Sequence, residues 1–152
     1  MNNIIIKKAA IDDMNKIWEL GSNVNEFQVS DEVATFWPKE ILEKCITDGS
    51  IFVAKDEGVI VGFVISNYNP IFKKAIIENI FVDPGFRGKG VAKKLLASLL
   101  SNLRTKGCGY ACALIEKTDI SGINFYIKNS FNKGINCVWM DQILKSNFKK
   151  NT

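Results

Sequence analysis

Arg87-Gly88-Lys89-Gly90-Val91-Ala92 stands between two segments of different periodicity. Before it come an apolar run, Ile76 to Val82, and a turn, Asp83-Pro84-Gly85. After it, Val91, Leu95, Leu96, Leu99, Leu100 and Leu103 recur at helical spacing and form one apolar stripe. The pattern predicts a strand, a glycine turn and a long amphipathic helix. A helix start leaves backbone N–H groups unpaired and carries partial positive charge. Glycines there let a ligand come close to the backbone. The stretch therefore reads as a seat for a phosphate or pyrophosphate. Arg87, Lys89, Lys93 and Lys94 surround it and could draw a polyanion. For Lys93 and Lys94 a plain solvated helix face is the competing reading.

Several chemistries drop out. The Walker pattern Gly-x-x-x-x-Gly-Lys-[Ser/Thr] is absent, which argues against a P-loop nucleotidase. The dinucleotide pattern fails because Lys93 stands where its third glycine belongs, and the stretch lies past mid-chain. There is no histidine, and Cys45, Cys108, Cys112 and Cys137 form no Cys-x-x-Cys pair. No zinc set stands at useful spacing, and Ser-His-Asp or Cys-His catalysis is removed. The thiols are expected to be buried and reduced. What is left is carboxylates, tyrosine, backbone groups and thiols.

The 152 residues, 47% apolar and 24% charged, fit one soluble domain spanning 1–152. No apolar run reaches the ~18 residues of a membrane span, and the N-terminus lacks a signal-peptide layout. The expectation is a cytoplasmic protein without a membrane partner. A net charge of +4 is too mild to suggest a nucleic-acid partner. Lys145, Lys149 and Lys150 read as a solubilising tail.

Patterning along the chain predicts a strand at Ile4–Lys8 and a helix to about Ser22, capped by Asp12 or Asp13. Pro38 opens a second helix that runs to about Thr47. Ile51–Lys55 and Val59–Asn67 form a hairpin around Asp56-Glu57-Gly58, and Lys74–Val82 is the next strand. The long helix ends near Lys106, followed by a strand at Tyr110–Ile115, a helix at Asp119–Asn129 and a last strand at Ile135–Leu144.

The glycine turn also fills the pattern [Arg/Gln]-x-x-Gly-x-[Gly/Ala], with Arg87, Gly90 and Ala92. With the order of elements, this resembles the acetyl-CoA signature of the GNAT superfamily of N-acetyltransferases. The resemblance implies an α/β, single-domain GNAT-like fold. Its central sheet would be mixed, mostly antiparallel and flanked by helices, splayed at a cofactor cleft between the strand before the signature and the strand after the long helix. The implied co-substrate is acetyl-CoA, with no metal, held by Arg87, Gly88, Lys89, Gly90, Val91, Ala92 and Lys93. The family's strand before the signature bulges, which would free the backbone of Ile80, Phe81 and Val82 for the acyl and pantetheine groups.

Asp119 to Phe131 is similar to the family's second motif, Asn-x-x-Ala-x-x-Phe-Tyr-x-Lys-x-Gly-Phe. Phe125, Tyr126, Lys128 and Phe131 match; Asp119, Gly122 and Ser130 depart from it. The resemblance gives Tyr126 the role of general acid toward the leaving thiolate. It sets Asp119 against the pantetheine arm, where a carboxylate accepts hydrogen bonds but cannot donate them. Asn129 is expected to take the left-handed conformation that ends the helix.

Acetyl transfer from a thioester to an amine needs a polarised carbonyl, a neutral amine and a proton for the thiolate. Alternation puts Glu78 on the face of Ile80 and Val82, with Asn79 opposite. A charge in an apolar strand needs water or a partner. Glu78 is thus either the acceptor of the amine proton or a solvated or salt-bridged carboxylate. Glu116 is a second candidate base. Leu114 stands where family members acting on protein N-termini often carry theirs. The resemblance places the acceptor near Asn25, Glu26, Phe27, Gln28, Phe36 and Trp37. Glu26 could meet a cationic amine, and the aromatics either wall the site or fill the core. The implied partners are a coenzyme A thioester and an amine, small-molecule amines being favoured, with a homodimer as one open assembly. The competing activities are peptide or protein N-acetyl transfer and non-catalytic acyl-CoA binding.

Overall fold

The computed structural model describes residues 3–27, 36–142 and 144. Its elements are β1 (Ile5–Lys8), α1 (Met14–Ser22), α2 (Lys39–Thr47), β2 (Ile51–Asp56), β3 (Val59–Asn69), β4 (Lys74–Val82), α3 (Val91–Thr105), β5 (Tyr110–Ala113) and α4 (Ile120–Lys128). The described residues of 3–27 and 36–114 form one compact unit, and those of 115–144 belong to a second.

In the first unit the strands lie in the order β1-β2-β3-β4-β5. Each neighbouring pair is antiparallel except β4 and β5, which run parallel around the α3 crossover. The sheet is thus mixed and mostly antiparallel. Glu57 and Gly58 both take positive φ, 49° and 86°, which is what a two-residue hairpin between β2 and β3 demands. β3 is buried through most of its length, as its near-continuous apolar run requires of a strand covered on both faces.

One face carries α1 and α2 over a core of Ile17, Leu42, Ile46, Ile51, Val53, Phe63 and Ile65. The other face carries α3, whose Val91, Leu95, Leu96, Leu99 and Leu103 are buried, while Leu100 is half-buried. Gly62 faces α3: a Cβ there would lie 3.3 Å from Leu95 Cδ1 and 2.8 Å from the Phe81 carbonyl oxygen. A larger residue would push helix and strand apart.

Asp13 does not cap α1 through its side chain. Its buried carboxylate instead accepts the Ala10 N–H at 2.9 Å and a hydrogen bond from Lys55 Nζ at 2.5 Å, tying the turn before α1 to β2.

In the second unit, the Asp119 carboxylate accepts the Gly122 N–H at 2.8 Å and caps α4. Ser130, not Asn129, takes the left-handed conformation (φ 69°), while Asn129 lies at φ −103°. The Phe131 N–H can then reach back to the Tyr126 carbonyl at 3.0 Å, the bond that closes this helix end. The expected strand over Ile135–Leu144 is not formed in its described residues. Ile135, Val138, Trp139, Met140 and Leu144 alternate imperfectly with polar residues and bury no face, Ile135 being 93% exposed. An apolar pattern permits a strand, but hydrogen-bond partners and a face to cover are what make one. The tail lysines Lys145, Lys149 and Lys150 lie outside the described residues. All four cysteines are free, but none is buried: Cys45, Cys108 and Cys112 are half-buried and Cys137 is exposed. No described helix is long and apolar enough to cross a membrane.

Candidate active site

The glycine turn forms as its sequence demands. Gly88 and Gly90 hold φ of 74° and 76°, a region that L side chains rarely enter. Among the described residues, a Cβ at either position would meet nothing within 4 Å, so the space beside both is open there. Gly90 stands at the N-cap of α3, and the first helical amide to find a backbone acceptor is that of Lys94, on the Gly90 carbonyl at 3.1 Å. The amides of Val91, Ala92 and Lys93 are left at the helix N-terminus.

Two of the surrounding basic side chains have local anchors. Arg87 Nε donates to the Val82 carbonyl at 2.9 Å. Lys89 Nζ donates to the Gly85 carbonyl at 3.0 Å and lies 5.1 Å from the centre of the Phe86 ring. Lys93 is exposed. Asp83 Oδ1 accepts the Gly85 N–H at 2.9 Å and tightens the turn that feeds the loop.

β4 departs from a regular strand where the sheet opens. Its pairing with β5 covers Lys74 to Ile77 and stops there. The edge of β4 on that side, through Ile80, Phe81 and Val82, continues without its neighbour. On the β3 side, Ile65 lies opposite Asn79 and Ser66 opposite Ile77, so Glu78 has no partner. The strand bulges at Glu78, upstream of the Ile80–Val82 stretch expected to be freed.

The bulge corrects the expected alternation. Asn79 lies opposite Ile65, whose side chain belongs to the α1 and α2 core, while Ile80 lies opposite Val64, two residues along from the α3-facing Gly62. Asn79 Oδ1 accepts the indole N–H of Trp37 at 2.8 Å. Ile77 lies opposite Ser66 and Ile80 opposite Val64, so the bulged Glu78 does not share the α3 side with Ile80 and Val82; its charge is one of those that act on the Cys45 thiol of α2. Burial pushes that thiol's pKa up, the charges of Asp48 and Glu78 push it further, and Lys44 opposes them. Glu78 is exposed to solvent, yet enough protein crowds it that partial desolvation holds its carboxyl above the usual glutamate range.

Of the acceptor candidates, Asn25, Glu26 and Phe27 occupy one short 3-10 turn. Phe27 and Phe36 stack at 6.0 Å and tilt against Phe63 at 6.3 and 6.1 Å, and Phe63 stacks on Phe81 at 5.4 Å. Phe27 and Phe36 are therefore core-packing residues, as one of the two sequence readings had them. Gln28 lies outside the described residues. Sequence reasoning missed the bond from Trp37 to Asn79. The only available signal was a polar residue in an apolar strand beside Glu78.

In the second unit, Tyr126 is partly buried on α4, edge-on to Phe125 at 5.2 Å and to Phe131 at 5.1 Å. Burial pushes its hydroxyl well above the usual tyrosine pKa, so the phenol stays protonated. Glu116 is exposed and accepts from Thr118 Oγ1 at 3.5 Å.

An open strand edge, a glycine turn and a helix N-terminus in this order define an acyltransferase-like frame, and a model of the acetyltransferase (GNAT) family matches residues 14–131. The chain belongs to that family. It is 29% identical over 85 residues to streptothricin acetyltransferase of Streptomyces lavendulae, covering 55% of this chain and 45% of the relative. It is 28% identical over 104 residues to L-2,4-diaminobutyric acid acetyltransferase of Wolinella succinogenes, covering 68% of this chain and 57% of the relative. The matches thus span about half the length of these two relatives. In fold, it resembles an aminoglycoside acetyltransferase from an uncultured soil metagenomic sample, crystallised with trehalose. That likeness has a TM-score of 0.75 and 23% identity, covering 93% of this chain and 97% of the other.

Proposed function

We propose that this chain is an N-acetyltransferase that moves an acetyl group from acetyl-CoA directly to the amine of a small molecule, acting as a single domain. The observation that carries the reading is the open glycine turn. Among the described residues, two left-handed glycines with clear space beside them lead into a helix whose first amides find no backbone acceptor. A pyrophosphate fits that arrangement. The amides of Gly88 to Lys93 would hold it, with Arg87, Lys89 and Lys93 supplying charge. The backbone of Ile80, Phe81 and Val82, on the side that β5 leaves, would hold the acyl and pantetheine groups. When bound, acetyl-CoA supplies the activated acyl group.

The chain's own groups then have separate tasks. Glu78 takes the amine proton, directly or through water; its exposure supports this, as does a raised pKa that brings it nearer to the working pH. Tyr126 donates its proton to the departing thiolate. Asp119 keeps one oxygen on Gly122 and accepts an amide N–H of the pantetheine arm with its remaining lone pairs. Small amines are favoured because both curated relatives are named for small-molecule acceptors, and because Leu114 holds the position where N-terminal acetyltransferases often carry a base.

The test is release of free thiol from acetyl-CoA across a panel of diamino acids, aminoglycosides and short peptides, with the acetylated amine identified by mass. Gly90→Val is the control, since a branched side chain would fill the open space and force a strained φ. The expected result is amine-dependent thiol release from the parent and lost coenzyme A binding in a folded variant. Tight coenzyme A binding with no acetylation of any amine would overturn the catalytic reading in favour of a binding module. Unchanged affinity in Gly90→Val would overturn the assigned cradle.

A further inference from the structure

The hydrogen bond between Trp37 and Asn79 is not needed to complete the sheet, and its position gives it a use. Trp37 directly precedes Pro38, whose fixed backbone leads into α2. The ring packs against the α1 and α2 core but remains partly exposed. An indole in that position has rotamer freedom unless something fixes its polar edge. The Asn79 amide oxygen does so, at 2.8 Å and 42 residues away in sequence. Asn79 can reach it because the bulge at Glu78 turns the Asn79 side chain to the α1 and α2 side of the sheet. The same bulge leaves Glu78 one residue away, between Ile77 and Asn79 and without a partner on β3. One irregularity of β4 thus sets the candidate base and the anchor of the Trp37 ring side by side.

We propose that Asn79 is a positioning residue that locks the Trp37 indole as a wall of the amine site beside Glu78, making Trp37 a determinant of acceptor affinity. This rests on the acetyl-transfer reading above. The bond takes no part in the chemical step: no proton or electron pair passes through it. It should act on acceptor binding and leave the cofactor side alone.

A double-mutant cycle tests the idea. Asn79→Leu removes the acceptor atom, and Trp37→Phe removes the donor while keeping an aromatic ring, so the bond can still be read if Asn79→Leu does not fold. Each single change should raise the KM for the amine roughly tenfold, with kcat and the KM for acetyl-CoA within about twofold of the parent. The double variant should be no worse than either single one, because both remove the same bond. Additive losses, or equal losses in kcat and in both KM values, would overturn the proposal.

A second readout separates its failure from that of the acetyl-transfer reading. With Trp18→Phe and Trp139→Phe in place, Trp37 is the remaining tryptophan. L-2,4-diaminobutyrate and an aminoglycoside serve as probes. At least one should change the Trp37 emission in this background, and Asn79→Leu should abolish that response. If the parent acetylates no amine yet the response and its loss are seen, acetyl transfer fails and the positioning role stands. An emission indifferent to both amines, or a response that survives Asn79→Leu, would overturn it.

Discussion

Gly21 lies directly beneath the ring of Phe36: a Cβ built on the glycine would clash with the Phe36 Cζ. A glycine inside a helix costs about 1 kcal/mol against alanine. Here α1 accepts that cost so that Phe36 can enter the core and stack on Phe27. Gly21→Ala should therefore destabilise the protein despite its better helix propensity. The clash is with a rigid ring, and overpacking of this kind typically costs about 1–3 kcal/mol. Urea denaturation should give a lower midpoint at an unchanged slope. A midpoint at or above that of the parent would mean that Phe36 repacks freely.

The ion pair of Asp13 and Lys55 should make stability depend on acid pH. Burial alone would raise the Asp13 carboxyl. The Lys55 hydrogen bond, the Ala10 N–H and the charges of Lys55 and Lys7 outweigh it and leave its pKa below the usual 3.8. A carboxyl depressed on folding stabilises fully above its unfolded value, and this is lost as pH falls through the folded one. Asp13→Ala leaves a half-buried ammonium unpaired and should cost about 3 kcal/mol at neutral pH. Denaturation at a series of pH values should find the gap between parent and variant steady above pH 5 and closing below about pH 4. A gap independent of pH would assign the cost to packing.

Ser130 should be improved by glycine. A non-glycine residue in the left-handed region carries strain of about 1–2 kcal/mol, partly offset in the comparison by the greater freedom of unfolded glycine. With φ at 69°, Ser130→Gly should gain roughly 0.5–1 kcal/mol, and Ser130→Val should lose stability. Thermal unfolding of the two variants checks the order.

That serine marks the boundary of what the sequence made legible. The stripe Val91-Leu95-Leu96-Leu99-Leu103, the limits of β4 and the glycine turn depend on residues close in the chain, and local pattern was enough to find them. The left-handed residue at the end of α4 was misplaced by one position, because asparagine is the better intrinsic former and the backbone bond from Phe131 decides the matter. The place of the bulge, at Glu78, was not legible either. It belongs to the register between β3 and β4, and strict alternation assumes a register without slips. The Trp37–Asn79 pair was out of reach for the same reason. Ile135–Leu144 carries an apolar pattern whose fate depends on pairing, which local pattern does not encode.

Glu78 should set the acid limb of the pH–rate profile. Desolvation raises its carboxyl, so it ionises, and becomes a usable base, at a higher pH than an ordinary glutamate. Glu78→Gln should lower turnover by roughly 10²-fold in the neutral range, where the carboxylate is charged and the amine mostly protonated. The deficit should shrink once pH exceeds the pKa of the amine, because the acceptor is then already neutral. A loss of equal size at every pH would leave Glu78 an electrostatic role and no base role.

Tyr126 should matter for turnover and not for affinity. Burial raises its pKa, so the phenol keeps its proton through the neutral and mildly alkaline range in which an amine is a good nucleophile. Its ring is held edge-on by Phe125 and Phe131, and Tyr126→Phe keeps those contacts while removing the hydroxyl. A thiolate is a fair leaving group unaided, so loss of the donor should slow the reaction without stopping it. A positioned acid is typically worth ~10²–10⁴-fold, and the lower end is expected here. Because the hydroxyl titrates above this range, no alkaline limb between pH 7 and 9 should vanish in the variant. Steady-state turnover over that range, paired with calorimetry of coenzyme A, separates the cases. Unchanged turnover would make Tyr126 a packing residue. A collapse of coenzyme A affinity would assign its hydroxyl to holding the cofactor, and the acid would lie elsewhere.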